Sequence, residues 1–170
     1  MDRLRRKDPS KNLVECIVGG VRYGVLIAHV REIVNPLEIV ALPSAPDWIP
    51  GVADYRDEVV PVVDLRIRFG VKIDNTPRTK WIVVHEREAS FALVVDAVTE
   101  VFRSGEMRPA PSVAQGADVR SLDGVTTHGH EMVFVISIAK LAQLVDPAAL
   151  QVPLISDQEE RRTVPPRRFE

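Results

Sequence analysis

Residues 23 to 34 read YGVLIAHVREIV, and a matching pattern, FALVVDAVTEVF, returns at residues 91 to 102. Each copy opens on an aromatic residue and continues with an apolar run. A valine and a glutamate also recur in register, as Val30 with Val98 and Glu32 with Glu100. Self-similarity over this length indicates two copies of one structural unit.

A second pair of segments extends the repeat. Residues 51 to 65 read GVADYRDEVVPVVDL, and residues 124 to 138 read GVTTHGHEMVFVISI. Each copy of the unit is too small to bury much apolar surface alone. We therefore predict two small β-barrels packed side by side, with the groove between them as a natural place for a ligand or partner.

Short segments rich in Val and Ile, separated by Gly, Pro and Asp, predict strands. They are 13–18, 21–27, 59–65, 81–85, 91–95 and 132–138. Gly19-Gly20 predicts a two-residue hairpin, because glycine adopts positive φ freely. Helical spacing is weaker: 28–34 predicts one or two turns, and 138–145 predicts a short helix near the C-terminus. The chain is therefore expected to be all-β with minor helices.

The composition argues against several classes of protein. With 22 Lys+Arg and 24 Asp+Glu the net charge is −2, whereas a protein that holds nucleic acid is expected to be clearly basic. No apolar stretch approaches the roughly 18 residues of a spanning helix, so direct membrane insertion is not expected. The first residues lack the apolar stretch of a secretory signal. We expect a soluble cytoplasmic protein.

The two ends of the chain differ in character from the middle. Residues 1–11 form a basic arm that we expect to be flexible, and 147–170 form a C-terminal extension that we expect to be disordered, because its last fifteen residues are charged and rich in proline. The folded domain is then expected to span 12–146. Its single cysteine, Cys16, forbids an internal disulfide and, among apolar neighbours, favours a buried inert thiol over a nucleophile.

No catalytic arrangement stands out in the sequence. His128 and His130 are spaced to share a strand face, but two histidines without a third ligand favour solvated turn residues over a metal site. Asp54, Asp57 and Glu58 cluster in the same way on the other hairpin, where charged tips are ordinary. Nucleotide-binding glycine loops and hydrolase motifs are missing. We expect no enzyme activity, cofactor or metal.

Several blocks in the same order resemble the CheW family of chemotaxis adaptors. They are Tyr-Gly-Val-x-Ile-x-x-Val-x-Glu-Ile at 23–33, Leu-Pro-x-Ala-Pro-x-x-Ile-x-Gly-Val at 42–52, Arg56, Val-Pro-Val-Val-Asp-Leu-Arg-x-Arg-Phe at 60–69, Leu-Val-Val-Asp-x-Val at 93–98 and Arg-Pro-Ala-Pro at 108–111. The similarity covers about residues 13 to 144. It implies two five-stranded barrels around a shared core.

The resemblance also implies partners. Members of this family are non-enzymatic adaptors that couple the cytoplasmic tip of methyl-accepting chemoreceptors to the regulatory domain of a CheA-type histidine kinase, in receptor clusters. The receptor tip, a helical hairpin, lies in an apolar groove, which here corresponds to Val30, Ile33, Ile82, Val98 and Val101. Without the resemblance, Val30 and Val98 would be interpreted as core valines. Because a concave apolar site is built from residues next to the core, both roles are compatible.

The turn thought to couple receptor and kinase departs from the family pattern. The family has Asn-Leu-Arg-Gly, and this chain has Asp54-Tyr55-Arg56-Asp57. The missing glycine implies a positive φ at Asp57, and we expect the two aspartates to approach the Arg56 guanidinium and compete with a partner. An alternative therefore remains, in which a divergent CheW-like module binds a receptor or other client without coupling it to the kinase.

Overall fold

The computed structural model describes residues 11–111 and 119–146. The predicted arm, apart from Lys11, and the predicted extension 147–170 lie outside the described residues. Eleven strands are described: β1 Asn12–Val18, β2 Val21–Leu26, β3 Val30–Val34, β4 Val40–Ala41, β5 Gly51–Tyr55, β6 Glu58–Asp64, β7 Lys80–Glu86, β8 Ala89–Val95, β9 Ala97–Arg103, β10 Leu122–His128 and β11 Glu131–Ile136. The helices are α1 Leu65–Arg68, α2 Ile138–Leu144 and two short 3₁₀ segments, Ile27–His29 and Val119–Ser121.

The strands form two mixed sheets, and we call each sheet with its packed helices a lobe. Lobe 1 has the order β10-β11-β2-β1-β9, and lobe 2 has the order β3-β7-β8-β6-β5-β4. The predicted all-β chain of two lobes is confirmed. The described pairings leave both sheets open, with five strands in one and six in the other, where the sequence predicted closed five-stranded barrels.

Each lobe is built from both copies of the repeat. The first copy contributes β1 and β2 to lobe 1 and β3, β5 and β6 to lobe 2. The second copy contributes β7 and β8 to lobe 2 and β9, β10 and β11 to lobe 1. The register shows the equivalence: Cys16 pairs with Val98 across β1 and β9, and Val84 pairs with Val30 across β7 and β3. The repeat therefore marks two interlocked halves of the chain, and neither half contains a complete lobe.

Two glycines at equivalent positions of the repeat allow close contacts between backbones. A side chain at Gly51 would meet the carbonyl oxygen of Val40, and a side chain at the equivalent Gly124 would meet the carbonyl oxygen of Arg108. Only glycine allows the backbones to approach this closely. The predicted hairpin at Gly19 and Gly20 is confirmed, with φ of +58° and +77°.

The helix predictions are half right. The C-terminal helix is confirmed as α2, and the Ser137 hydroxyl caps it by accepting a hydrogen bond from the Lys140 amide. The prediction for 28–34 is wrong, because only Ile27–His29 forms a helical turn and Val30–Val34 is strand β3. The β-branched residues of this segment pair with β7, and that pairing outweighs the weak helical spacing.

One apolar core joins the two lobes. Val14 and Cys16 of β1 pack in it with Val84 of β7, Phe91 of β8 and Leu141 of α2, all at most 2% exposed. Cys16 is buried as predicted, and burial raises the pKa of its thiol to about 12. Within the described ranges, no helix is long and apolar enough to cross a membrane.

Candidate functional site

The turn between β5 and β6 has an unusual backbone. Arg56 and Asp57 have φ of +49° and +64°, so both central residues lie in the left-handed region that favours glycine. Tyr55 and Glu58 close the hairpin as its last cross-strand pair. The positive φ implied at Asp57 by the family glycine is confirmed. Arg56 shares that conformation, so the turn holds an arginine in a conformation that long side chains rarely adopt.

The Arg56 side chain is fixed by Glu32 on strand β3. Its Nε and Nη2 atoms each lie 2.9 Å from Glu32 Oε2, and the buried Tyr55 donates its hydroxyl hydrogen to the same oxygen. The hydrogen bonds from Arg56 and Tyr55 hold the pKa of the Glu32 carboxyl below its ordinary value. Arg56 still has 67% of its side chain exposed, so the guanidinium is oriented by the protein and accessible to a partner.

The aspartates of this turn do not behave as expected. Asp54 and Asp57 are both exposed, and the described ion pairs of Arg56 go to Glu32 instead. The carboxylate that competes for Arg56 was therefore missed. The recurrence of Glu32 and Glu100 at one position of the repeat was the available signal for it.

Two guanidiniums lie close to the ring of Tyr55. The Arg31 and Arg56 carbon atoms Cζ are 5.4 Å and 5.7 Å from its centroid, which is cation–π distance. Arg31 also donates through Nη1 to Glu58 at 2.8 Å. Two ion pairs, Arg31 with Glu58 and Arg56 with Glu32, thus link the hairpin to β3.

Four of the five predicted groove residues form two pairs at equivalent positions of the repeat, and the fifth is Ile82. Val30 and Val98 are partly buried against the shared core, on strands β3 and β9 respectively. Ile33 and Val101, three residues further along these strands, are 40% and 51% exposed. Ile82, the cross-strand partner of Ile33, is fully buried and packs in the shared core.

Val30 also lines a cavity of about 520 Å³, whose other lining residues are Ala28, His29, Arg31, Glu58, His85 and Ser90. Val98 and Val101 are not among them. Of the predicted apolar residues, Val30 and Ile33 thus lie on the outer strand β3 of lobe 2, and Val98 and Val101 lie on the outer strand β9 of lobe 1.

Lobe 1 contains a buried charge that sequence reasoning also missed. The Glu15 side chain is fully buried, and its carboxylate accepts hydrogen bonds from Arg22 at 2.5 Å, Thr99 at 2.7 Å and His128 at 3.1 Å. Burial raises the pKa of the Glu15 carboxyl, but these hydrogen bonds and the Arg22 charge outweigh burial and hold the pKa below 4.5. At the equivalent position lobe 2 has Val83, an apolar residue.

The hydrogen-bond and ion-pair networks of the two lobes occupy equivalent positions of the repeat but use different residues. His128 lies 3.5 Å from Glu100, as Tyr55 lies against Glu32. In lobe 2 the arginine is Arg31 on β3 and the hydroxyl is Ser90 on β8, whereas lobe 1 has its arginine, Arg22, on β2 and its hydroxyl, Thr99, on β9.

Among the described residues, one group of side chains brings its ligand atoms close enough together to hold a metal ion: Glu15, Glu100 and His128. Oε1 of Glu15 is already occupied by Arg22 and Thr99, so the arrangement is that of an ion-pair network. The pair considered from the sequence is separated: His128 faces Glu15, while His130 is exposed at the turn.

Comparison with known proteins identifies the family. The family model of the CheW-like domain matches residues 12–146. The chain belongs to the CheW-like family. Chemotaxis protein CheW of Klebsiella aerogenes is 33% identical over 129 residues, covering 73% of this chain and 76% of that protein. Protein FrzA of Myxococcus xanthus is 31% identical over 131 residues, covering 74% and 81%.

A solved CheW structure has the same architecture. The crystal structure of the scaffolding protein TtCheW from Thermoanaerobacter tengcongensis superimposes with a TM-score of 0.72 at 27% identity, covering 81% of this chain and 91% of that chain. The two open sheets around one core are therefore the CheW fold, and the Arg56 turn and the β3 and β9 surfaces belong to a CheW-like domain.

Proposed function

We propose that this protein is a non-enzymatic adaptor that couples chemoreceptors to a CheA-type histidine kinase in a chemosensory pathway. The match of a CheW-like domain to residues 12–146, together with relatives named as chemotaxis proteins, is the observation that carries the proposal. The adaptor acts in the cytoplasm and is recruited to receptor clusters through its partners.

The receptor tip, a helical hairpin, docks on the apolar residues of the outer strands. Ile33 and Val101 supply exposed apolar area, and Val30 and Val98 lie beside them against the core. A helix that buries such residues gains roughly 25 cal/mol for each Å² of apolar surface removed from water. Ile82 lies next to Ile33 as its cross-strand partner.

The kinase regulatory domain engages the turn at Arg56. A guanidinium that is fixed by Glu32 yet 67% exposed loses little conformational entropy when it binds a carboxylate or carbonyl group of a partner. Asp57, which replaces the family glycine, adds a negative charge on the same tip.

A titration separates this proposal from the alternative of a CheW-like module that binds a receptor or another client without coupling it to the kinase. Calorimetry should detect binding of the cognate receptor-tip hairpin and, separately, of the kinase regulatory domain. Ile33→Asp should weaken receptor binding at least tenfold, because a carboxylate is desolvated among apolar contacts. Val59→Asp is the matched control, since Val59 is 69% exposed on β6.

Receptor binding without kinase binding would support a receptor-binding module without coupling. Binding of neither would reject the adaptor function and support a module with another client.

A further inference from the structure

The turn that follows Tyr55 occurs twice in the fold, with different residues. Arg56 corresponds in the other copy of the repeat to Gly129, and the two residues have φ of +49° and +61°. The β10–β11 hairpin thus forms with a glycine where the β5–β6 hairpin has an arginine. Because glycine adopts positive φ freely and arginine does not, the turn itself does not require the arginine. The strained position indicates that the guanidinium has a use outside the turn.

The hydroxyl of Tyr55 holds the carboxylate that orients this guanidinium. Tyr55 donates to Oε2 of Glu32, the oxygen that also lies 2.9 Å from Nε and from Nη2 of Arg56. Tyr55 is 5% exposed and packs in the core of lobe 2 in one cluster with Val60 and Trp81. Three polar contacts therefore meet on one oxygen, and one of them comes from a donor that is anchored in the core.

The ion pair alone does not suffice to hold the guanidinium in one geometry. The side chains of Glu32 and Arg56 are 34% and 67% exposed, and an ion pair at this exposure gains little over solvated charges and costs side-chain entropy to order. The buried hydroxyl of Tyr55 adds a fixed point, because it gives the Glu32 carboxylate one position to occupy. Arg56 is then ordered through Glu32.

This hydroxyl is a feature of the present chain. The CheW pattern Asn-Leu-Arg-Gly has a leucine where this chain has Tyr55, and a leucine side chain has no hydrogen-bond donor. In the other copy of the repeat the equivalent residue is His128, which lies 3.1 Å from Glu15 and 3.5 Å from Glu100. Neither the family pattern nor the repeat therefore requires a tyrosine at this position.

We propose that Tyr55 is a positioning residue for the kinase contact: its hydroxyl fixes Glu32, and Glu32 holds the Arg56 guanidinium in the orientation that the partner binds. Since Tyr55 is buried, it acts through Arg56 and not by contact with the partner. It lowers the conformational entropy that Arg56 loses on binding, so the kinase regulatory domain binds more tightly. This inference rests on the proposed function and names the residue that prepares its kinase-binding turn.

The test is a double-mutant cycle, measured by calorimetry with the full chain and the regulatory domain of the CheA-type kinase at low salt. Tyr55→Phe keeps the buried ring and its two cation–π contacts and removes only the hydroxyl. It should weaken binding about three- to fivefold in the wild type and by less than about 1.5-fold in Arg56→Ala, where no guanidinium is left to position. Tyr23→Phe removes a hydroxyl in the shared core and should leave the affinity unchanged.

A second measurement follows Glu32 directly in the free protein. Hydrogen bonds from Arg56 and Tyr55 hold the pKa of the Glu32 carboxyl below its ordinary value. Tyr55→Phe should therefore raise the pKa of Glu32, and Tyr23→Phe should not. The carboxyl carbon chemical shift of Glu32, followed by NMR through an acid titration, reports this pKa. A general loss of stability would not change the pKa of Glu32 in the folded protein.

Three results would each overturn the inference while the adaptor function stands. They are an unchanged kinase affinity in Tyr55→Phe, an equal loss of affinity in the wild-type and Arg56→Ala backgrounds, and an unchanged pKa of Glu32 in Tyr55→Phe. If the kinase regulatory domain bound none of these proteins, kinase coupling and this inference would be rejected together.

Discussion

Arg56, at a hairpin tip, is joined to Glu32, on an outer strand, by a hydrogen bond from Nε and an ion-pair contact from Nη2, both 2.9 Å long and both ending on the same carboxylate oxygen. The Tyr55 hydroxyl donates to that oxygen too. The orientation of the turn is thus set from β3, the strand that carries Val30 and Ile33. The proposed kinase-binding turn and the proposed receptor surface are consequently one connected structure.

Asp57→Gly should affect the backbone more than binding. Glycine removes the strain of φ +64° but gains freedom in the unfolded chain, so the free energy of unfolding should change by less than about 1 kcal/mol. Because Arg56 pairs with Glu32, kinase-domain affinity should change by less than twofold. Arg56→Ala, measured beside it by calorimetry at low salt, should lose at least fivefold. A large gain in affinity for Asp57→Gly would show that Asp57 opposes kinase docking.

Ile82→Val should reduce stability and spare recognition. Removal of one buried methylene from this fully buried residue should cost about 0.5–1.5 kcal/mol in chemical denaturation. The receptor-tip affinity should stay within twofold of the wild type. Ile33→Val makes the same chemical change at the exposed cross-strand partner and should cost less than about 0.5 kcal/mol. If Ile82→Val weakened binding without loss of stability, Ile82 would have to contact the partner.

Glu15→Gln should lower stability at neutral pH and cease to matter in acid. The folded-state pKa of Glu15 is held below 4.5, so its contribution is present above the unfolded pKa and is lost as pH falls through the folded value. We expect a deficit of about 1–2 kcal/mol at pH 7, kept small because Arg22 is one-third exposed. The gap between wild type and variant should narrow in thermal melts as pH falls below the ordinary titration range of a glutamate, and it should close once Glu15 is protonated in the folded protein. A constant gap would mean that shape, and not charge, is the cause.

Fragments 1–73 and 74–170 should fold only together. Each lobe takes strands from both sides of the cut, which falls in the segment between α1 and β7. Alone, each fragment should lack dispersed amide resonances, and mixing should restore the spectrum of the intact chain. Independent folding of either fragment would contradict the interlocked topology.

The local features of the fold could be predicted, and the long-range ones could not. Strand positions, the Gly19-Gly20 hairpin and α2 follow from residue pattern and turn chemistry within a few residues. The exchange of strands between the copies could not be derived, because a repeat shows that two units are alike but not which strands pair. Strand β3 was mistaken for a helical segment, because the seven-residue segment 28–34 is too short to distinguish the apolar periodicity of a helix from that of a strand.

The candidate site divides in the same way. Arg56 and the valines were proposed from the resemblance, whereas the carboxylates that contact Arg56 and His128 were not predicted. Glu32 lies 24 residues from Arg56 in sequence, and Glu15 lies 113 residues from His128, so only the assembled sheets bring these charges together. The burial of Ile82 could not be predicted, because the run Trp81–Val84 is buried on both faces and a continuous apolar run does not reveal which residues reach the surface.

The interlocked halves have a consequence for association between chains. The first half of one molecule can complete the second half of another, and every strand pairing inside the resulting lobes would be native. The monomer and such a reciprocal dimer would differ mainly in the path of the segment between α1 and β7. Their relative free energies would therefore depend on the entropy lost when one chain closes that loop and on the entropy lost when two chains associate. Shortening that loop would shift the balance toward exchange, and the concentration of the protein would then decide how many chains share their lobes.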